Sequence, residues 1–159
     1  MKRRVHSRKG KTERPNRVLK GLQKLESSQE QRPRLGLEGA VEKVIPREWT
    51  LAHFDQNLPP VLSTPAMIGM MEVAAAEAVR KDLPPGAITV GTRIEVDHLK
   101  PVPGDTVVRA TARLAEHKGG FMVFDVEARA GEHVIGRGRV YRAIVELTKF
   151  HAKAHERKT

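Results

Sequence analysis

The sequence predicts an α+β domain in which one long helix packs against one mostly antiparallel sheet. Residues 66–81 are rich in Ala, Met and Glu, and their apolar residues recur at helical spacing. From residue 88 onward the apolar residues instead alternate with polar ones, as they do in strands. At 159 residues the chain is long enough for one domain with a single core.

Two segments precede the helix. Residues 37–45 are predicted to form the first strand. Residues 49–58 read as an irregular approach to the helix, and the paired prolines at 59–60 close it.

The helix has recognisable ends. Ser63 or Thr64 is a natural N-cap, because either hydroxyl can accept a hydrogen bond from a free backbone N–H. Pro65 fits the first helical position, where its missing N–H costs nothing. The many Ala residues, with Gly69, suggest close approach on several sides, and the Leu-Pro-Pro-Gly run at 83–86 ends the helix.

Four strands are predicted after the helix, at residues 88–99, 105–116, 121–130 and 133–147. The segments between them contain Gly or Pro, as turns do. Together with the first strand they give a sheet of about five strands.

Charge divides the chain into three parts. Residues 1–34 hold 12 Lys/Arg and three Glu, residues 149–159 hold four Lys/Arg and one Glu, and residues 35–148 have a net charge of −2. We therefore expect a disordered basic N-terminal extension, a nearly neutral domain and a basic C-terminal tail. The extension is open to three interpretations: upstream sequence translated from an early start, a solvated segment without a role, or an electrostatic arm for an anionic partner.

Composition excludes several classes. Without cysteine the chain has no disulfide framework and no thiolate nucleophile. It contains no apolar run that could span a bilayer, no secretory signal, no Gly-rich phosphate loop and no metal-ligand spacing. A cytoplasmic protein without a metal is therefore expected.

Three residues carry the chemistry expected of hydrolytic acyl transfer. Thr64 offers a hydroxyl, Glu72 a carboxylate and His98 an imidazole, groups that orient water and move protons. Each also has a structural interpretation: a helix cap, an exposed helix carboxylate and a structural histidine. Glu72, however, interrupts an apolar run, which indicates that it points into apolar surroundings or at a partner.

The sequence segments around these residues resemble the fluoroacetyl-CoA thioesterase-like branch of the hotdog-fold thioesterases, over residues 35–148. They are Pro-Pro-Val-Leu-Ser-Thr-Pro-Ala-Met, Met-Glu-Val-Ala-Ala-Ala-Glu-Ala-Val, Thr-Val-Gly-Thr-Arg-Ile-Glu-Val-Asp-His-Leu and Gly-Arg-Gly-Arg-Val-Tyr-Arg-Ala-Ile-Val. The resemblance implies a hotdog fold, in which a curved sheet wraps one long central helix. It also implies an acyl-CoA substrate, no further cofactor, and a homodimer or tetramer with active sites at the interface.

By the same resemblance, Thr64 is the active-site hydroxyl and Glu72 the catalytic carboxylate, acting as general base or as nucleophile. His98 polarises these two residues or protonates the departing CoA thiolate.

The expected substrate contacts lie elsewhere in the chain. Gly91 makes room for an acyl group or for the helix, and Arg142 supports the site or binds an acidic group. Phe54 and Leu58 are the expected gate residues of the segment over the acyl pocket.

Two other functions remain as alternatives. A non-catalytic acyl-CoA sensor would keep the pocket without needing both Glu72 and His98. Nucleic-acid binding through the basic tails has little support, because the nearly neutral domain lacks a basic surface with interleaved aromatic residues. The sequence Asp55-Gln56-Asn57 opens like the motif of the hotdog hydratases, but no His follows it. A general thioesterase for small or short-chain acyl-CoA is therefore expected, without assigning fluoroacetyl specificity.

Overall fold

The computed structural model describes residues 33–156. The prediction for the N-terminal extension falls almost entirely outside the described residues. The described elements are β1 (Glu38–Val44), α1 (Leu51–Phe54), α2 (Thr64–Val79), β2 (Ala87–His98), β3 (Val107–Lys118), β4 (Phe121–Ala130), β5 (His133–Glu146) and α3 (Leu147–Glu156), with 3-10 turns at Arg47–Trp49 and Arg80–Asp82.

The predicted helix and the five predicted strands are confirmed, with ends that differ by one or two residues. Two segments carry more helix than the sequence analysis expected. The approach segment contains the short helix α1, and residues 147–156, most of which belong to the predicted C-terminal tail, form α3. That stretch contains neither Gly nor Pro, so its basic charge does not prevent it from being helical.

The five strands form one antiparallel sheet in the order β1-β3-β4-β5-β2. β1 and β2 are therefore its two edges, although they come first in the chain. α2 connects them and lies mainly over β1 and β3, with fewer contacts to β2 and β5. The start of α2 and the end of β2 lie close enough to share side-chain contacts.

The core lies between α2 and the inward face of the sheet. Along β3 and β4 every second residue is buried, which is the period-two pattern of a half-buried sheet. The helix contributes small residues and methionines, and β1 passes so close to it that a side chain at Gly39 would overlap the backbone of Ala74 and Ala78. The buried helix residues are Met67, Met70, Met71, Ala74, Ala75, Ala78 and Val79.

Within residues 33–156, none of the helices is both long and apolar enough to cross a membrane.

Candidate active site

Thr64 and His98 meet where α2 begins and β2 ends. The Thr64 hydroxyl Oγ1 lies 2.9 Å from His98 Nδ1, a hydrogen-bond distance. Ser63 takes the N-cap position, but neither hydroxyl makes a side-chain capping bond. Thr64 is the first helical residue. Pro65 therefore stands at the second helical position, whereas the sequence predicted it at the first. The Thr64 hydroxyl is therefore directed at the histidine rather than at the helix backbone.

The other ring nitrogen of His98 is free of partners among the described residues. Nε2 is buried and accepts or donates no hydrogen bond there. Because buried polar atoms are normally bonded, this nitrogen is available to bond a further group. Its neighbour Thr64 stands at a helix N-terminus, where free N–H groups favour negative charge.

Glu72 is paired with a buried cation. Its Oε2 accepts a hydrogen bond of 2.6 Å from an Nη of Arg142, whose side chain is only 7% exposed. Oε1 is buried and has no hydrogen-bond partner in the described part of the chain. Glu72 thus faces a charged partner, Arg142, which is one of the two surroundings that the interrupted apolar run indicated. Only one of its carboxylate oxygens is used in this pair.

Gly91 is the residue that lets this carboxylate reach the sheet. It lies directly opposite Arg142 in the pairing of β2 with β5. A Cβ at this position would stand 2.5 Å from Glu72 Oε2, well inside contact distance. The carboxylate of a helix side chain thus occupies the space that the missing side chain of Gly91 leaves open.

Arg142 is held on its other side by Thr89. Its Nε donates to Thr89 Oγ1 and its second Nη to the Thr89 carbonyl oxygen, both at 2.9 Å. The sequence analysis missed Thr89. A period-two pattern places it on the same face of β2 as Gly91, but that pattern alone does not separate it from other strand residues.

The structure therefore joins the predicted residues into two pairs. Thr64 and His98 form one, and Glu72 and Arg142 form the other. Thr64 and Glu72 lie eight positions apart on α2, which is close to two turns, so they share a side of the helix. Their backbones are separated by a rise of about 12 Å, at 1.5 Å per residue.

Two cavities flank the N-terminus of α2. A cavity of about 300 Å³ is lined by Thr64, His98 and Lys100, together with Leu51 from α1. The second, of about 500 Å³, is mostly apolar and lies against the helix face that carries Pro65, Ala66, Gly69, Met70 and Val73.

The predicted gate residues differ in position. Both are exposed, but Phe54 lines the apolar cavity together with Trp49, whereas Leu58 lines neither of these two cavities. Leu51, from the same approach segment, lines the cavity that contains Thr64.

Other cations of β2 and β5 are engaged on the sheet surface. Arg93 pairs with Glu95 and lies over the ring of Tyr141, and Arg139 pairs with Asp125. Lys100 is the cation that lines the same cavity as Thr64 and His98. Among residues 33–156 no group of three or more His, Cys, Asp or Glu side chains could hold a metal ion.

Comparison with known proteins shows the family to which the chain belongs. The family model described as fluoroacetyl-CoA-specific thioesterase matches residues 46–148. The chain is 32% identical over 130 residues to a fluoroacetyl-CoA thioesterase of Streptantibioticus cattleyicolor, a match that covers 78% of this chain and 94% of that protein.

Solved structures give the same result. A structure of the fluoroacetyl-CoA thioesterase FlK is 33% identical, covers 79% of this chain and 97% of its own, and superposes with a TM-score of 0.73. A hot-dog-like protein from Thermanaerovibrio acidaminovorans is 25% identical, covers 79% of this chain and 93% of its own, and has a TM-score of 0.70. These likenesses confirm the predicted hotdog fold.

Proposed function

Because the chain belongs to the fluoroacetyl-CoA-specific thioesterase family and is an acyl-CoA thioesterase, we propose that it hydrolyses small or short-chain acyl-CoA, with Thr64, Glu72 and His98 as its catalytic residues. The hydrogen bond between Thr64 and His98 carries this proposal. It joins a hydroxyl at a helix N-terminus to an imidazole whose other nitrogen is free. Such a pair is the usual arrangement for orienting a reacting oxygen and moving a proton.

The reaction follows from these groups. Glu72 removes a proton from water, the water oxygen bonds to the thioester carbonyl carbon, and the carbonyl oxygen becomes an oxyanion. The helix N-terminus at Thr64 stabilises that charge. The C–S bond then breaks, and the departing CoA thiolate takes a proton from the protonated His98, leaving the free acid and CoA. The proton that Glu72 took from water then returns to His98 through solvent, which restores both groups. Direct attack by Glu72 on the thioester carbon, followed by hydrolysis of the anhydride, is the second route.

The substrate class proposed is a small or short acyl group, as in the named relatives. Within one chain, the part of the site lined by Thr64 and His98 is a cavity of about 300 Å³. The fluoroacetyl-CoA named for the relatives is one member of this class. For this chain we propose the class, small or short-chain acyl-CoA, and no single member of it.

We also propose that the enzyme is a homodimer in which two chains complete each site. The rise of about 12 Å between Thr64 and Glu72 is too long for both to touch one thioester directly. β2 is an edge strand of 12 residues with the exposed apolar side chain of Ile94, which is a surface suited to pairing with a second copy. Pairing of this kind would place Glu72 of one copy near Thr64 and His98 of the other.

The activity is tested by measuring CoA release from acyl-CoAs that range from acetyl to long-chain. The purified protein should turn over the short ones, and Glu72→Ala and His98→Ala should each lose about 100-fold or more, the scale of acid–base catalysis. Glu77→Ala is the matched control, because Glu77 lies on the same helix in a surface pair with Arg80. Turnover that survives both site changes would refute the assignment. Binding of acyl-CoA without turnover would favour the sensing protein.

A mixed dimer tests the shared site. Thr64→Ala and Glu72→Ala chains are co-expressed with different tags, and the dimer that carries both tags is purified. If each site takes Thr64 from one chain and Glu72 from the other, the mixed dimer contains one intact site and recovers about half of the normal activity, whereas each parent stays inactive. Sites contained within single chains would leave the mixed dimer inactive as well.

The cytoplasmic location and the lack of a further cofactor stay predictions from the sequence.

A further inference from the structure

We infer that Thr89 and Arg142 are positioning residues that fix the orientation of the Glu72 carboxylate. This inference rests on the proposed function, since it concerns how Glu72 is made ready to act. Of the two roles expected for Arg142 from the sequence, it selects support of the site over binding of an acidic group, and it adds Thr89, which the sequence analysis did not select.

The guanidinium of Arg142 is bonded on two sides. Nε and one Nη donate to the hydroxyl and the carbonyl oxygen of Thr89, each at 2.9 Å, and the other Nη donates to Glu72 Oε2 at 2.6 Å. A guanidinium is planar and its N–H bonds have fixed directions. Two bonds to Thr89 therefore determine where the third N–H points, and that bond determines where Glu72 Oε2 lies.

Burial removes Arg142 from direct contact with CoA. Its side chain is 7% exposed, compared with 24% for Glu72. A buried cation is costly unless it is paired, and the carboxylate of Glu72 supplies the opposite charge. A CoA phosphate would have to displace Glu72 to reach this guanidinium. The geometry therefore favours support of the carboxylate over recognition of the substrate.

The carboxylate also packs against β2 at Gly91, where even a Cβ would collide with Oε2. Arg142 and Gly91 together confine Oε2. Oε1, which is buried and unbonded among the described residues, is the oxygen that remains for water or for the thioester carbon. This division of work between two oxygens is the reason that the orientation of Glu72 matters.

The test separates positioning from binding through kcat and KM for the best short acyl-CoA. Thr89→Val keeps the shape of the side chain but removes the acceptor of the Arg142 Nε bond. It should lower kcat about 10-fold with little change in KM, because small misplacements of a catalytic group cost up to about 100-fold. Thr89→Ser keeps the acceptor and should restore kcat. Arg142→Lys keeps the charge but removes the planar set of N–H donors. A loss of kcat of about 100-fold is therefore expected.

Each outcome gives a clear answer. Thermal unfolding of every variant establishes that it is folded at the assay temperature, and Glu72→Ala gives the floor of activity. A rise in KM at constant kcat for Arg142→Lys would make Arg142 a substrate contact and overturn the inference. Equal losses for Thr89→Val and Thr89→Ser would also overturn it, because the hydroxyl would not be the deciding group. If the unmodified protein releases no CoA, the proposed function itself fails, whereas normal Thr89 and Arg142 variants beside an inactive Glu72→Ala defeat this inference alone.

Discussion

Gly91 and Glu72 fit against each other so closely that position 91 cannot carry a side chain without moving the carboxylate. The glycine lies on β2 and the glutamate on α2, and an added Cβ would stand 2.5 Å from Oε2. The same oxygen accepts a hydrogen bond from Arg142, so a displaced carboxylate would change the geometry of that bond. A backbone position in the sheet thus determines where a catalytic group lies.

Replacing Gly91 by alanine should therefore damage activity more than stability. The methyl group pushes against the end of a side chain, which can move, rather than against backbone. We expect a loss of kcat of about 10- to 100-fold, the cost of misplacing a catalytic group, while thermal unfolding changes little. Gly120→Ala is the control, since its added Cβ meets its nearest atom, the Ile144 carbonyl oxygen, at an ordinary 3.9 Å. A Gly91→Ala enzyme with normal kcat would show that the carboxylate does not need this position.

Two substitutions at Thr64 separate its chemical role from its place in the helix. Thr64→Val keeps the shape but removes the hydroxyl that lies 2.9 Å from His98 Nδ1, so we expect kcat to fall about 100-fold. Thr64→Ser keeps the hydroxyl and should keep most of the activity. Because no hydroxyl caps the helix, both variants should unfold at nearly the temperature of the unmodified protein. Equal activity of the two variants would assign Thr64 a purely structural role.

Much of the fold could be predicted because local patterns of apolar residues and of Gly and Pro determine its helix, strands and turns. The change from helical spacing to alternation located α2 and the strands, and Gly and Pro marked the turns between them. α3 was missed because residues 149–159 were judged by their charge, whereas a basic segment without Gly or Pro can still be helical.

The site was predictable in part, for a different reason. Thr64, Glu72 and His98 could be selected because their residue types suit the chemistry and the words around them resemble a known family. The hydrogen bonds of Arg142 to Thr89 and Glu72 join residues 53 and 70 positions apart. No local period records such a contact, since it depends on how β2, β5 and α2 pack. The orientation of the carboxylate therefore required the structure.

Gly39 on β1 and Gly69 on α2 should respond oppositely to alanine. At Gly39 an added Cβ would overlap the backbone of Ala74 and Ala78, which cannot move aside cheaply. We expect Gly39→Ala to lower the free energy of unfolding by ~1–3 kcal/mol, the range for overpacking. At Gly69, within α2, the added Cβ meets no described atom within 4 Å, so Gly69→Ala should raise it by up to about 1 kcal/mol through helix propensity. Urea unfolding followed by circular dichroism measures both, and a stabilising Gly39→Ala would contradict the close packing of β1 on α2.

Tyr141 provides a direct test of electrostatics on the sheet surface, because it is the only tyrosine in the sequence. Its hydroxyl donates to Glu95 Oε2 at 2.5 Å, and this hydrogen bond raises the pKa of Tyr141 and lowers the pKa of Glu95. The raised pKa means that the phenol stabilises the fold at neutral pH and loses this effect as pH rises through the raised value. The lowered pKa of Glu95 means that its contribution is lost as pH falls through the lowered value.

We expect the tyrosinate absorbance near 295 nm to titrate above about pH 10, the ordinary value, and Glu95→Gln to move the midpoint down. Glu127→Gln, whose carboxylate pairs with Arg129 instead, should leave the midpoint unchanged. Identical midpoints for the unmodified protein and Glu95→Gln would show that Tyr141 and Glu95 do not interact in solution.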